Sequence, residues 1–139
     1  MWPEEPEENF LNSHFLYRAV HRGLWQNWES TDRIDPIFFY SKNAEVGLSF
    51  DWSKYSSPQD TLERRKGNSL KENGVIQLNL GKLRKDITQF NLPITIEHAP
   101  LPENQSHTLL LGITRSNTAK IRRKLSKIAE WAESMRPKI

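Results

Sequence analysis

Six short β-prone runs constrain this chain more than any other feature of its sequence. They are HFLYRAV at 14–20, PIFFYS at 36–41, GLSFDW at 47–52, GVIQLNL at 74–80, PITIEHA at 93–99 and HTLLLGI at 107–113. Each is rich in β-branched, aromatic or leucine side chains, and Gly, Pro, Asn and Ser punctuate the gaps between them. Ile94 and Ile96 alternate with Thr95 and Glu97, so one face of the sheet is expected to be polar or only partly covered. Pro100-Leu101-Pro102-Glu103-Asn104 reads as a fixed turn between adjacent strands.

Helical signals lie between the runs. Ser57-Pro58-Gln59-Asp60 offers an N-cap serine, a proline at the first helical position and an acid three residues after the cap, which predicts a helix through Arg65. Leu83, Ile87 and Phe90 recur at helical spacing and predict a second helix over 82–89. After Asn117, a possible cap, the residues Ile121, Leu125, Ile128, Ala132 and Met135 form one apolar stripe and predict a longer C-terminal amphipathic helix. The expected fold is α+β: a mixed or antiparallel sheet of about five or six strands, two short helices and this last one. At 139 residues the chain has the length of one domain. Residues 1–12, with Pro3, Pro6 and clustered Glu, read as a mobile acidic lead-in that adds little to the core, and 13–139 as the domain. The hydrophobic fraction is only 36%, so five Trp, six Phe and three Tyr are expected to build an aromatic-rich core. Trp25 and Trp28 are expected to fasten a loop onto it.

Charge is small in sum and uneven in place. The formal net charge is +3, yet Glu4, Glu5, Glu7 and Glu8 crowd the start while Arg115, Lys120, Arg122, Arg123, Lys124, Lys127, Arg136 and Lys138 crowd the end. With Ile121 at zero on a helical projection, Lys120, Arg123, Lys124 and Lys127 fall between about 200° and 300°, and Trp131 falls in the same arc. Cations interleaved with an aromatic suit a phosphate backbone, and the loop 112–118 adds hydroxyls and Arg115 at the helix N-terminus, the end that attracts anions.

Other chemistries find less support. Absence of cysteine excludes disulfides, thiol catalysis and thiolate metal ligation. The opening MWPEEPEENF lacks the basic start of a secretory signal and no apolar run approaches spanning length, so the chain reads as cytoplasmic with no membrane partner. The four histidines show no i, i+4 pairing with an acidic cluster, so no metal is expected, although His98 and His107 flank a strand–turn–strand. No phosphate-binding glycine loop, HExxH or GxSxG occurs.

The preferred reading is therefore a non-enzymatic binding module that uses no cofactor. It would contact nucleic acid, or an acidic protein partner within a larger assembly, through Arg115, Lys120, Arg123, Lys124, Lys127 and Trp131. A second reading rests on Leu16-Tyr17-Arg18-Ala19-Val20-His21-Arg22 followed by Gly47-Leu48-Ser49-Phe50-Asp51-Trp52. A strand-borne Arg18 followed by a strand-borne Ser49 resembles the opening of small ADP-ribosyltransferase-like toxins of the RES kind, in which early basic residues contact NAD. That resemblance implies a small NAD-using enzyme with a cleft lined by Arg18, His21, Ser49, Asp51 and His107, and Glu97 or Glu103 as the late glutamate. A third reading is a purely structural subunit whose C-terminal stripe packs on another chain.

Overall fold

The computed structural model describes residues 9–21, 34–42, 44–65, 73–132 and 135–136. The predicted acidic start at 1–8 and the pair Trp25 and Trp28 lie outside the described residues. Side chains alternate along strand β1, Phe15–His21, so that Leu16 and Val20 enter the main core while Phe15 and Tyr17 pack on the opposite face. The same alternation runs through β2 (Leu48–Trp52), β3 (Asn73–Asn79), β4 (Thr95–His98) and β5 (His107–Leu111). With the two-residue β6, Glu130–Trp131, they form one six-stranded sheet in the order β4-β5-β2-β1-β3-β6. Every pairing is antiparallel.

The connections decide which faces are covered. Both β2 and β3 run antiparallel to β1, so the link between them must cross β1, and it does so as helix α1, Pro58–Glu63. The predicted capping box is present: Asp60 N–H donates to Ser57 Oγ and Ser57 N–H donates to Asp60 Oδ2, both at 3.1 Å. Leu62 of α1 packs with Tyr17, Val75 and Ala132 in a small second core. On the other face, α2 (Leu80–Gln89) carries the chain to β4 and α3 (Thr118–Ile128) carries it back towards β6. Both helices cover the main core, which Trp52, Phe38, Phe39, Leu83, Ile121 and Leu125 fill without contact with solvent. Phe10 also belongs to this core, its ring 4.3 Å from that of Trp52, so the core begins inside the stretch expected to be peripheral.

Two elements differ from expectation. PIFFYS is not a strand: Pro36–Phe39 is a short 3-10 helix, because Asp35 caps it by accepting Ile37 N–H at 2.9 Å and Pro36 sits at its first position. The C-terminal helix stops at Ile128 and, at 11 residues, is barely longer than the 10 of α2. Ile121, Leu125 and Ile128 do form its buried stripe, but Ala132 leaves the helix and packs on the far face of the sheet, with Met135 beside it. The chain breaks there because β3 offers a free edge: Ile76 pairs with Trp131, and Ala132 N–H donates to Val75 O at 2.9 Å.

Candidate functional site

The basic residues of α3 do not form one strip. Trp131 lies on β6 rather than on the helix, its ring edge-on to Phe38 at 5.9 Å. Lys124 turns away and places its ammonium 3.4 Å from the centre of the Phe90 ring. Lys120 is exposed, on the flank between. Arg123 and Lys127, by contrast, meet Trp131 in one cavity of about 610 Å3, whose other wall is Ile34 and Pro36. Glu130 also borders it, but its Oε1 accepts Gln77 Nε2–H at 2.9 Å, which draws the carboxylate towards β3.

A second cavity, of about 310 Å3, lies at the N-terminal end of α3 between Tyr40, Ser41, Lys42, Ala44 and Glu45 on one side and Thr114, Arg115, Thr118 and Arg122 on the other. The arginine at 122 was not singled out from sequence, since it projects at about 100° on the helix, on the opposite flank of the stripe from the others. Its guanidinium lies 5.8 Å from the Tyr40 ring centre and its Nε is sealed from solvent with no acceptor. Asn117 does not cap the helix. Its Oδ1 accepts Thr114 N–H at 2.7 Å and its Nδ2 donates to Gly112 O at 3.0 Å, which folds the 112–118 loop and leaves the first turn of α3 uncapped. Both cavities lie between α3 and the segment that precedes β2, the larger beside the end of α3 against Ile34 and Pro36 and the smaller beside its start against Tyr40, Ser41, Lys42, Ala44 and Glu45. Among the described residues, no carboxylate pairs with Lys42, Arg115, Lys120, Arg122, Arg123, Lys124 or Lys127. Helix α3 itself carries five cations and no acid.

The constellation suggested by the RES-like resemblance gathers in part. Arg18, Ser49 and Asp51 line a shallow cavity of about 230 Å3 on the α1 face, with Arg64 and Arg65, while neither His21 nor His107 lines it. Arg18 is committed elsewhere: its three guanidinium nitrogens donate to Phe38 O, Ser49 O and Tyr40 O at 2.9, 2.8 and 3.1 Å. Desolvation, with the like charge of Arg65 nearby, lowers its pKa to about 10, so it remains a cation at neutral pH and clamps the 3-10 segment to the sheet. Asp51 is nearly buried and fully engaged, accepting from Thr61 Oγ1 at 2.8 Å, Arg64 at 2.9 Å and Asn104 Nδ2 at 2.8 Å.

His107 has two contacts. Its Nδ1 lies 2.8 Å from Ala99 O, a carbonyl that only accepts, so the proton sits on Nδ1 and Nε2 faces the Ser49 hydroxyl at 3.3 Å. The pairing is long for a nucleophile and its base. A dinucleotide also needs more than this cavity, which lies below the usual 300–1,000 Å3 of small-molecule sites. His98 is buried, stacked on Tyr55 and 2.6 Å from Gln105 O, as a packing residue would be. Among the described residues no group of three or more His, Asp or Glu is placed to hold a metal ion, and no helix is long and apolar enough to cross a membrane.

Comparison of the chain with models of protein families, with characterised proteins and with solved structures gives no match.

Proposed function

We propose that this chain is a non-enzymatic module that binds single-stranded nucleic acid along a groove joining the two cavities between α3 and the segment that precedes β2. The observation that carries the reading is the excess of cations over carboxylates around those cavities. Arg115, Arg122, Arg123 and Lys127 line them, with no carboxylate partner among the described residues. An amphipathic helix that needs only solubility usually mixes both signs of charge on its outer face, whereas this one holds a single sign. Tyr40 and Trp131, one per cavity, supply aromatic faces beside the cations, an arrangement that suits bases more than the carboxylates of an acidic protein.

Fluorescence anisotropy with a labelled single strand tests it. Four phosphate contacts on a single strand give a slope of log affinity on log salt of about −2.8, or roughly a 50-fold loss between 50 and 200 mM salt. Arg123→Glu with Lys127→Glu halves that slope. Affinity unchanged in this double variant overturns the proposal, and so does equal competition by a polyglutamate chain of matched length, which points to an acidic protein instead.

A further inference from the structure

The smaller cavity differs from the larger one in charge and in depth of commitment. Among the described residues, Lys42, Arg115 and Arg122 converge on it with Glu45 the one acid, so three positive charges and one negative leave a net of two. An internal phosphodiester brings one negative charge, whereas a terminal phosphomonoester brings about two near neutral pH. Arg122 lines this cavity with its Nε buried and unpartnered, a desolvation cost that the fold leaves standing. An anion on its outer nitrogens would offset that cost through charge-assisted bonds, in the paired geometry that guanidinium offers to phosphate. The hydroxyls of Thr114 and Thr118 add neutral donors, and the uncapped first turn of α3 adds to a site that the three cations already define. Tyr40 is 52% exposed, which leaves a ring face for one base beside the phosphate.

Resting on the groove reading above, we propose that the cavity bounded by Lys42, Arg115 and Arg122 receives the terminal phosphomonoester of a nucleic-acid strand. The remaining nucleotides would then run along α3 towards Arg123, Lys127 and Trp131. From Thr118 to Lys127 the helix rises about 14 Å, a span that a short oligonucleotide covers.

The test compares short oligonucleotides that differ only at their ends: 5′-phosphate, 3′-phosphate or hydroxyl at both. One phosphorylated form is expected to bind about tenfold more tightly than the hydroxyl form, which also identifies the end that is held. Arg115→Gln with Arg122→Gln is expected to erase the preference while leaving a measurable part of the hydroxyl form's binding, and Arg123→Glu with Lys127→Glu to weaken all three strands and keep the preference. Because Arg122 is partly buried, Lys42→Gln at an exposed position serves as the second variant, with thermal melting to confirm that each protein is folded. A nucleoside monophosphate titrated against its nucleoside reads the cavity without the groove. Monophosphate binding without strand binding would sink the groove reading and keep the cavity. No end preference, or a preference untouched by both the Arg115/Arg122 and the Lys42 variants, overturns the assignment.

Discussion

Asp51 is expected to be the polar residue on which the α1 face most depends, and replacing it tests how that face is held. Its side chain is 12% exposed and accepts from three donors on two separate segments: Thr61 and Arg64 from α1 and its end, and Asn104 from the β4–β5 turn. Bonds to a charged acceptor are worth roughly 1.5–3 kcal/mol each, but the three do not add. The Arg64 side chain is 34% exposed and keeps Ser56 as a partner at 2.9 Å, so solvent screens its share to about 1 kcal/mol or less. Thr61 keeps Ser56 at 3.0 Å, whereas the Asn104 amide loses its acceptor outright. Asp51→Ala should therefore cost about 3 kcal/mol, and Asp51→Asn, which keeps one carbonyl oxygen, about 1–2 kcal/mol. In a chain of this length the Ala variant should melt about 10 °C lower. Urea denaturation followed by tryptophan fluorescence reads both, because Trp52 next to Asp51 is buried. A cycle with Arg64→Met should show about 1 kcal/mol of coupling. A loss under about 1 kcal/mol for Asp51→Ala, or a strictly additive cycle, refutes the account of Asp51 as the tie between α1 and the turn.

Two further outcomes follow from local geometry. His14 Nδ1 accepts from Trp52 Nε1 at 3.0 Å and from Leu11 N–H at 3.1 Å, and desolvation with Lys54 and Arg84 lowers its pKa. Between the folded value and the unfolded value of 6.5 the unfolded chain binds more protons, so the stability His14 provides is present above 6.5 and fades as pH falls through the window below it. The stability gap between wild type and His14→Gln, measured in urea at pH 8, 7, 6 and 5, should shrink with falling pH; a gap independent of pH contradicts the assignment. Gly112 has φ +99° and a Cβ there would overlap the Pro93 carbonyl, so Gly112→Ala should destabilise by at least about 3 kcal/mol in the same assay. A cost under about 1 kcal/mol would show that the 112–118 loop tolerates another path.

Much of this fold was legible because local chemistry and global position agree. The capping box at Ser57 and Asp60 needs only neighbours in sequence, and it forms with both of its hydrogen bonds. The turn at 100–104 closes through Leu101 and Asn104, again a local matter. PIFFYS misled because its apolar content matched a strand, while the Asp35-Pro36 pair in front of it carried the helical signal. The end of α3 was illegible for a different reason. Nothing in Ala129-Glu130-Trp131 stops a helix, and the stop comes from the edge of β3, which is placed only once the sheet is built. The sheet order was equally out of reach, since β1 sits between two strands that follow it in the chain.

The candidate groove shows the same division at the level of function. Sequence periodicity located the cations on α3, but it treated them as one flank, because a helical projection knows nothing of what packs beside the helix. Packing splits them: Phe90 takes Lys124, the segment at 34–45 faces Arg122 and Arg123 from across the groove, and the early end of the helix returns Trp131 to Arg123 and Lys127 from the edge of the sheet. Arg18 makes that groove possible from below, because its three carbonyl bonds hold Phe38 and Tyr40, and with them the far wall, against β2. The arginine that resemblance assigned to a dinucleotide thus acts on the groove through the backbone it fixes. Arg18 and Arg64, which tie the fold together, are paired with backbone carbonyls and with Asp51, whereas the cations that line the two cavities have no carboxylate partner among the described residues. That separation is why charge reversal on α3 should change binding while the fold persists.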